Sequence, residues 1–293
     1  MNKEMNPERM DRSIQSIDGE SEFIDEEFGS LDDESGGSEA SSGILVVRGT
    51  RPIIPAGGLV ISYDENGQFT ASVNKFLLHG QVFHLWLEIA LDHLIESQKN
   101  TDILLLKKQE AKANGNSPTF SELELEFIHG MQSIVASATA IDAFYASVKN
   151  HVQIPEEQLE AWKKNKTARY NQISEIFKLA FKLNPELTNK IRYILKEIYR
   201  FRGLAVHPPS KPVEPVLHPE LQVGVEPRFI EFGSHNAKEI FTGVCSIIEQ
   251  LLKSGCSNKH LKINSYCEGW LLLLETTQGK WESVKEEIFG VRE

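Results

Sequence analysis

The segment from Asn184 to Pro209 reads NPELTNKIRYILKEIYRFRGLAVHPP and predicts a long amphipathic helix. Asn184 is a favoured N-cap residue, and Pro185 is favoured at the first helical position. Pro208 disfavours the α conformation for the residue before it, so the helix should end near His207. The apolar side chains recur with the 3.6-residue period of a helix that is buried along one side: Leu187, Ile191, Ile194, Leu195, Ile198, Phe201 and Ala205.

Two arginines near the end of this helix differ in the direction they face. At about 100° per residue, Arg202 falls inside the apolar arc, whereas Arg200 falls on the opposite face. A guanidinium on a core-facing stripe needs a partner or a functional role, because an unpaired buried charge is costly. His207 follows about one turn after Arg202. Gly203 and Pro208 should distort the last turn, which favours Arg202 as the partner of His207. In a regular helix Arg200 would instead share a face with His207.

The motif Arg202-x4-His207 at a helix end, followed by Pro208-Pro209, resembles the Arg-x(4–6)-His signature of HEPN domains. In that family the motif closes the third of four helices, as is predicted here. The resemblance covers roughly residues 121 to 253, which is under half of the chain. Active members usually have a polar residue after the arginine, often Asn or Asp, whereas this chain has Gly203. Another match, Arg228-x6-His235, falls where the pattern predicts a strand, 229–232, and a loop.

The resemblance implies an all-α bundle and a metal-independent endoribonuclease, such as a toxin or an anti-phage defence component with an antitoxin or defence partner protein. Arg202 would bind phosphate and His207 would act as acid or base, without a cofactor or a metal ion. HEPN domains pair so that two motifs meet, which implies a homodimer. The alternative is an inactive RNA- or protein-binding module, which Gly203 and a nearly neutral folded part favour.

The charge of the chain is concentrated at its start. The chain has 293 residues and a net charge of −11. Residues 1–42 contain 13 acidic and 3 basic side chains, so they predict a disordered acidic tail. The remainder carries only −1. Three cysteines, an odd number, together with no secretory signal and no apolar run of membrane length, favour a reducing cytoplasm.

The remaining pattern predicts a mainly α protein: a four-helix HEPN-like bundle with a small N-terminal β element and a C-terminal helical appendage. Residues 43–116 should hold the β element and a helix, residues 117–254 the bundle, and residues 255–293 a helical pair. Asn66-Gly67 is a strong hairpin signal between strands within 59–73. The predicted elements are a strand at 44–47, and helices at 75–97, 121–150, 155–166, 167–183, 185–206, 237–253, 263–276 and 280–288.

Two surfaces are candidates for contact with partners. Apolar residues from Leu123 to Val148 recur with a nearly 3.5-residue period, which fits either packing within the chain or pairing in a dimer. Asp142 interrupts this helix and either points at the Arg202 end or is an ordinary exposed carboxylate. A basic cluster could bind RNA phosphates, with Trp162 or Tyr170 stacking on a base, or could be a solvated helix edge. The candidate RNA-binding residues are Lys163, Lys164, Lys166, Arg169 and Arg200.

Overall fold

The structure is a computed structural model that describes residues 50–53, 59–63, 66–73, 77–114, 120–207 and 213–290. The chain divides into two units, Met1–Ser42 and Gly43–Glu293. The first unit, with the predicted acidic tail, lies outside the described residues, as do the predicted strand at 44–47 and the two prolines after His207. All of the described residues belong to the second unit.

Short antiparallel strands precede the helices. Strands β2 (Leu59–Tyr63) and β3 (Phe69–Val73) pair as the predicted hairpin, with Leu59 opposite Val73 and Tyr63 opposite Phe69. Strand β1 (Thr50–Ile53) pairs with β4 (Leu77–Gly80). The sequence pattern placed all of β4 in the predicted helix 75–97, and that part of the prediction is wrong. A third pair, β5 (Val216–Leu217) and β6 (Gly224–Val225), lies between the later helices.

Eight helices make up most of the described residues, so the predicted mainly α class with a small β element is confirmed. Helix α1 packs along α2, α4 packs against α5, and α7 contacts α1, α2 and α8. The helices are α1 (Phe83–Asn114), α2 (Ser121–Lys149), α3 (Glu156–Lys164), α4 (Arg169–Phe181), α5 (Pro185–Val206), α6 (Pro227–Glu231), α7 (Ser234–Ser257) and α8 (Asn264–Phe289).

One apolar core joins α1, α2, α4, α5, α7 and α8. Most of the nearly 3.5-residue repeat of α2 is buried in this core, from Ile134 to Val148, and Leu123 is buried in a smaller cluster with Leu104 and Leu221. The repeat is therefore used for packing inside the chain and is not a free surface for a dimer. Helix α1 approaches α2 closely, since Ser133 Oγ donates to the carbonyl of Ala90 at 2.8 Å and Ser97 Oγ donates to that of Glu126 at 3.1 Å.

The predicted C-terminal helical pair is wrong. Helix α8 is continuous through Gly279, and it is not an appendage because Trp270 and Leu274 are fully buried in the common core. The apolar stripe continues through Trp281 and Val284, which pack against the same core. Tertiary packing therefore outweighs the low helix propensity of one glycine.

The predicted strand at 229–232 is also wrong, because the segment forms α6. Pro227 occupies the first turn, where a proline is tolerated, and Phe229 and Phe232 then fall three residues apart on one side. The rings of both contact Phe127, at centroid distances of 4.9 and 5.8 Å. Helix α7 begins at Ser234 rather than Ala237, and Asn236 donates to the carbonyls of Ile230 and Glu231 instead of capping α7.

Candidate nucleic-acid interface

Helix α5 begins and ends as the sequence predicts. The Asn184 side chain accepts a hydrogen bond from the Leu187 backbone N–H at 2.8 Å, which caps the first turn. The helix ends at Val206, and His207 leaves the helical conformation with φ −121° and ψ 75°. The prediction that Gly203 distorts the last turn is wrong, because the His207 N–H donates to the Gly203 carbonyl at 2.8 Å, as in a regular helix.

The Arg202 side chain is bound by Asp142 of α2. Asp142 Oδ2 lies 3.2 Å from Arg202 Nη1. The other carboxylate oxygen accepts a hydrogen bond from the Tyr199 hydroxyl at 2.7 Å and from Arg169 Nε at 3.1 Å. Asp142 therefore points at the Arg202 end, and one carboxylate holds side chains of α4 and α5 together.

Burial and neighbouring charges shift the pKa of two donors in this cluster, Tyr199 and Arg169. Burial, together with the Asp142 carboxylate, raises the pKa of the Tyr199 hydroxyl well above its ordinary value, so Tyr199 remains a donor. Burial lowers the pKa of Arg169, but the charge of Asp142 and the neighbouring tyrosines outweigh it, so the net shift is upward. The Arg169 guanidinium also lies 4.3 Å from the ring centroid of Tyr145, a cation–π distance. The cluster holds two cations and one anion.

Arg200 has a different environment from Arg202. Arg200 Nε lies 2.9 Å from Glu197 Oε2, and Nη1 lies 3.8 Å from Glu231 Oε1. Its side chain is 45% exposed, against 26% for Arg202. Because seven residues make nearly two helical turns, Arg200 and His207 lie on the same side of α5. Five residues separate Arg202 from His207, which places them about 140° apart around the helix.

The predicted basic cluster lies at the junction of α3 and α4. Lys163, Lys164 and Lys166 are exposed, and Arg169 begins α4, where its pairing with Asp142 links this cluster to Arg202. Trp162 is only 8% exposed and packs in the core, so the prediction that its ring is available for stacking on a base is wrong.

Positive charge is concentrated on one continuous segment, residues 163–206. This segment contains eleven Lys and Arg and only three acidic residues, which gives a net charge of +8. Because the whole chain carries −11, all other residues together carry −19. Nine of the eleven cationic residues are exposed and two, Arg192 and Arg202, are partly buried. The α4–α5 hairpin and the turn before it therefore form a cationic surface on an otherwise acidic chain.

Comparison with known proteins gives no relative. No protein-family profile matches the chain, and no curated protein or solved structure is significantly similar to it. None of the described helices is both long and apolar enough to cross a bilayer. Across the described ranges, no group of three or more His, Cys, Asp or Glu is placed to bind a metal ion.

The role of Tyr199 as the third partner of Asp142 was not predicted from the sequence. The sequence did contain a signal for this role, because Tyr199 lies three residues before Arg202 and therefore on the same side of α5. The net positive charge of residues 163–206 as a whole was also not predicted, since only the run from Lys163 to Arg169 stands out as a basic cluster. A running sum of charge along the chain shows it directly.

Proposed function

We propose that this chain binds RNA along the cationic surface of residues 163–206 and cleaves it, without a metal ion, at the His207 end of α5. The observation that supports binding is the net charge of +8 on this segment. A polyanion is attracted by such a surface through release of its counterions, whatever its base sequence. The support for cleavage is the HEPN-like motif and the exposed imidazole at the end of the cationic helix.

Metal-independent cleavage uses the RNA's own 2′-hydroxyl as nucleophile. The 2′-oxygen attacks the adjacent phosphorus, the bond to the 5′-oxygen breaks, and a cyclic phosphate remains. One group must take the 2′-proton, another must protonate the leaving 5′-oxygen, and a cation must stabilise the phosphorane. An imidazole near neutral pH can take either proton role, and a guanidinium matches phosphate oxygens.

The geometry changes which arginine we assign to phosphate. The sequence favoured Arg202, but that guanidinium is held by Asp142 and is turned away from the side that carries His207. Arg200 lies on the same side as His207, and its ion pairs with Glu197 and Glu231 are partly exposed. Exposed pairs of this kind contribute roughly 0–1 kcal/mol, so a phosphate can displace them. We therefore assign phosphate binding to Arg200 and anchoring of α5 to Arg202.

A second copy of the chain would complete the site. Each chain contributes one His207, whereas the reaction needs both an acid and a base. Because the apolar repeat of α2 is buried, such a homodimer would use another surface of the HEPN-like bundle. A role as a toxin or anti-phage component, with an antitoxin or defence partner, follows from the resemblance alone.

The second candidate function is a module that binds RNA or protein without cleaving. Two observations favour it. Gly203 places no polar group beside His207, and Arg202 is bound in the chain's own Asp142 cluster. This second candidate function uses the same cationic surface for binding. It differs from the first only because the bound RNA is not cleaved.

Incubation of the full-length protein with cellular RNA in EDTA separates the two functions. The variants are His207→Ala and, as a matched control, His235→Ala, an exposed histidine of the competing motif. We expect wild type and His235→Ala to leave 2′,3′-cyclic phosphate ends and His207→Ala to leave the RNA intact. Retention of RNA with no cleavage by any of the three proteins would establish the binding module. Equal cleavage by His207→Ala would show that another group does the chemistry.

A further inference from the structure

Tyr193 is exposed on the middle of α5. Its relative exposure of 70% is the highest among the large apolar and aromatic side chains that the described residues leave exposed. The residue lies opposite the buried stripe that includes Ile191 and Leu195. A tyrosine ring exposed to this degree contributes little to the core, so its position on the cationic surface calls for another role.

Tyr193 belongs to a straight row that leads to His207. Lys196 follows it by three residues, Arg200 by seven and His207 by fourteen, which are the spacings of neighbours along one side of a helix. At 1.5 Å per residue, Tyr193 lies about 10 Å from Arg200 and about 21 Å from His207 along the axis. All four side chains are exposed. The row therefore presents one aromatic ring, two cations and one imidazole in sequence.

The charges beside this row are mainly positive. Lys190 lies one turn before Tyr193 and is exposed. The two carboxylates of α5 are Glu186, two turns before Tyr193, and Glu197, which is paired with Arg200 at 2.9 Å. With five basic residues, α5 carries a net charge of +3. Glu231 of α6 is the second carboxylate beside Arg200, at 3.8 Å. Phosphates that approach Lys196 and Arg200 therefore meet two carboxylates, and both are already paired with Arg200.

We propose that Tyr193 is a stacking platform for a base of single-stranded RNA, whose phosphates bind Lys196 and Arg200 as the strand runs along α5 towards His207. Cationic residues that follow a backbone, interleaved with an aromatic ring that accepts any base, are the usual features of single-strand binding. Bases in a duplex are already stacked on one another, so a duplex gains nothing from the ring. The inference rests on the proposed function and adds the substrate class: unpaired RNA, held by stacking without base-specific contacts.

Binding is measured with the full chain carrying His207→Ala, so that cleavage does not interfere. The probes are fluorescein-labelled oligoadenylate and the same strand in a duplex with oligouridylate. On this background we compare Tyr193→Ala, Tyr193→Phe and Lys196→Ala. The matched control is Phe69→Ala, which removes a 60% exposed ring from β3, outside the cationic surface.

Tyr193→Ala should weaken binding of the single strand roughly tenfold or more. Tyr193→Phe and Phe69→Ala should bind like the parent, and the duplex should respond to Tyr193→Ala by less than about twofold, because its bases stay stacked. Lys196→Ala should weaken both probes and reduce the salt dependence of binding by about one counterion.

Three results would overturn the inference: no RNA binding by the parent, unchanged single-strand affinity in Tyr193→Ala, or an equal loss for single strand and duplex. The cleavage proposal fails independently of these. If wild type never cleaves but Tyr193→Ala loses the single strand selectively, the stacking site survives without the nuclease. If wild type cleaves and Tyr193→Ala binds like the parent, only the stacking site is wrong.

Discussion

Asp142 Oδ2 lies 3.2 Å from Arg202 Nη1, and this ion pair joins α2 to the helix that ends at His207. The same carboxylate accepts from Tyr199 and Arg169, so a single anion serves three donors. We expect Asp142→Ala to lower the free energy of unfolding by about 1–3 kcal/mol, because hydrogen bonds to a charged group are lost and two cations are left facing each other. Urea denaturation measures this loss.

The matched control for Asp142 is Glu175→Ala on α4. Glu175 pairs with Arg192 at 2.7 Å and with Lys178 at 3.2 Å, but it is a third exposed. Its loss should cost less than about 1 kcal/mol. Similar costs for the two variants would mean that the Asp142 cluster is no more than another surface ion pair.

Two glutamates one turn apart on α2 should respond to pH with opposite signs. Burial raises the pKa of Glu126, although its carboxylate accepts the Ser234 backbone N–H at 3.0 Å at the start of α7. The side-chain hydrogen bond from Lys107, at 2.5 Å, lowers the pKa of Glu122. A raised folded-state pKa stabilises the protein below the unfolded value, near 4.3, and this stability is lost as the pH rises through the folded value. A lowered pKa gives stability above the unfolded value that is lost on acidification.

Glu126→Gln should therefore become more favourable relative to wild type as the pH rises above about 4.3, since the amide oxygen can still accept from Ser234 without a charge. Relative to wild type, Glu122→Gln should become less stable as the pH rises from about 3 to about 4.3 and should change little above that, because the charge of Glu122 is favoured in the folded state. Chemical denaturation at pH 3, pH 5 and pH 8 measures both, the lower pair of values for Glu122 and the upper pair for Glu126. Parallel pH profiles for the two variants would contradict the assigned environments.

Gly130 is required by a close approach of two backbones. A Cβ built at this position would lie 1.8 Å from the Phe232 carbonyl oxygen, which cannot move aside as a side chain can. Gly130→Ala should cost about 3 kcal/mol or more, at the upper end of overpacking effects. Gly279→Ala, in α8 with nothing within 4 Å of its Cβ, should instead gain about 0.5–1 kcal/mol from helix propensity. Thermal unfolding of both variants checks the contrast, and a stable Gly130→Ala protein would show that α6 does not lie against α2.

Local signals in the sequence were sufficient for the boundaries of α5 and for the β2–β3 hairpin. An N-cap, an N1 proline and a 3.6-residue period act within one segment, so they can be read without knowing the neighbours. Asn66-Gly67 likewise acts within one segment, so the β2–β3 turn can be predicted without knowing its neighbours. The choice between a dimer surface and internal packing for α2 could not be made in this way, since one apolar repeat fits both.

The predictions from the sequence were wrong where contacts with distant residues determine the secondary structure. The aromatic run at 229–232 has strand composition, but its helix is favoured by contacts of Phe229 and Phe232 with Phe127, more than 100 residues earlier. Gly279 signals a break, yet the buried stripe continues on both sides of it. At the site, the direction of Arg202 was predicted correctly from helical phase. Of the distortion predicted from Gly203 and Pro208, the part assigned to Gly203 was wrong, because one glycine costs too little to break a packed helix.

Arg200 and Arg202 should have separable roles. Arg200→Ala should reduce RNA cleavage and binding while leaving stability nearly unchanged, because its two pairs are exposed. Arg202→Ala should lower stability, because Asp142 of α2 loses its ionic partner on α5 and keeps only the Tyr199 hydroxyl there. Cleavage rates in EDTA, each with a urea midpoint, distinguish the two. Loss of cleavage in a stable Arg202→Ala protein, with Arg200→Ala active, would return phosphate binding to Arg202.

Gly203 can be replaced without strain, which makes its chemical importance testable. A Cβ at this position meets nothing within 4 Å, and the residue lies three positions after Arg200 and four before His207, on the exposed side of a regular helix. An amide here could hydrogen-bond either the imidazole or a bound phosphate. If the missing polar group limits cleavage, Gly203→Asn should raise the rate about tenfold, which corresponds to roughly 1.4 kcal/mol from one added hydrogen bond.

Gly203→Ala is the matched control for Gly203→Asn. Alanine has the higher helix propensity and adds no polar atom, so it should raise stability and leave the cleavage rate unchanged. A rate increase in both variants would mean that a stiffer helix end, and not hydrogen bonding, is what the wild type lacks. If neither variant cleaves while both still bind single-stranded RNA, polarity at position 203 is not what limits the chemistry, and the binding module becomes the better description of this chain.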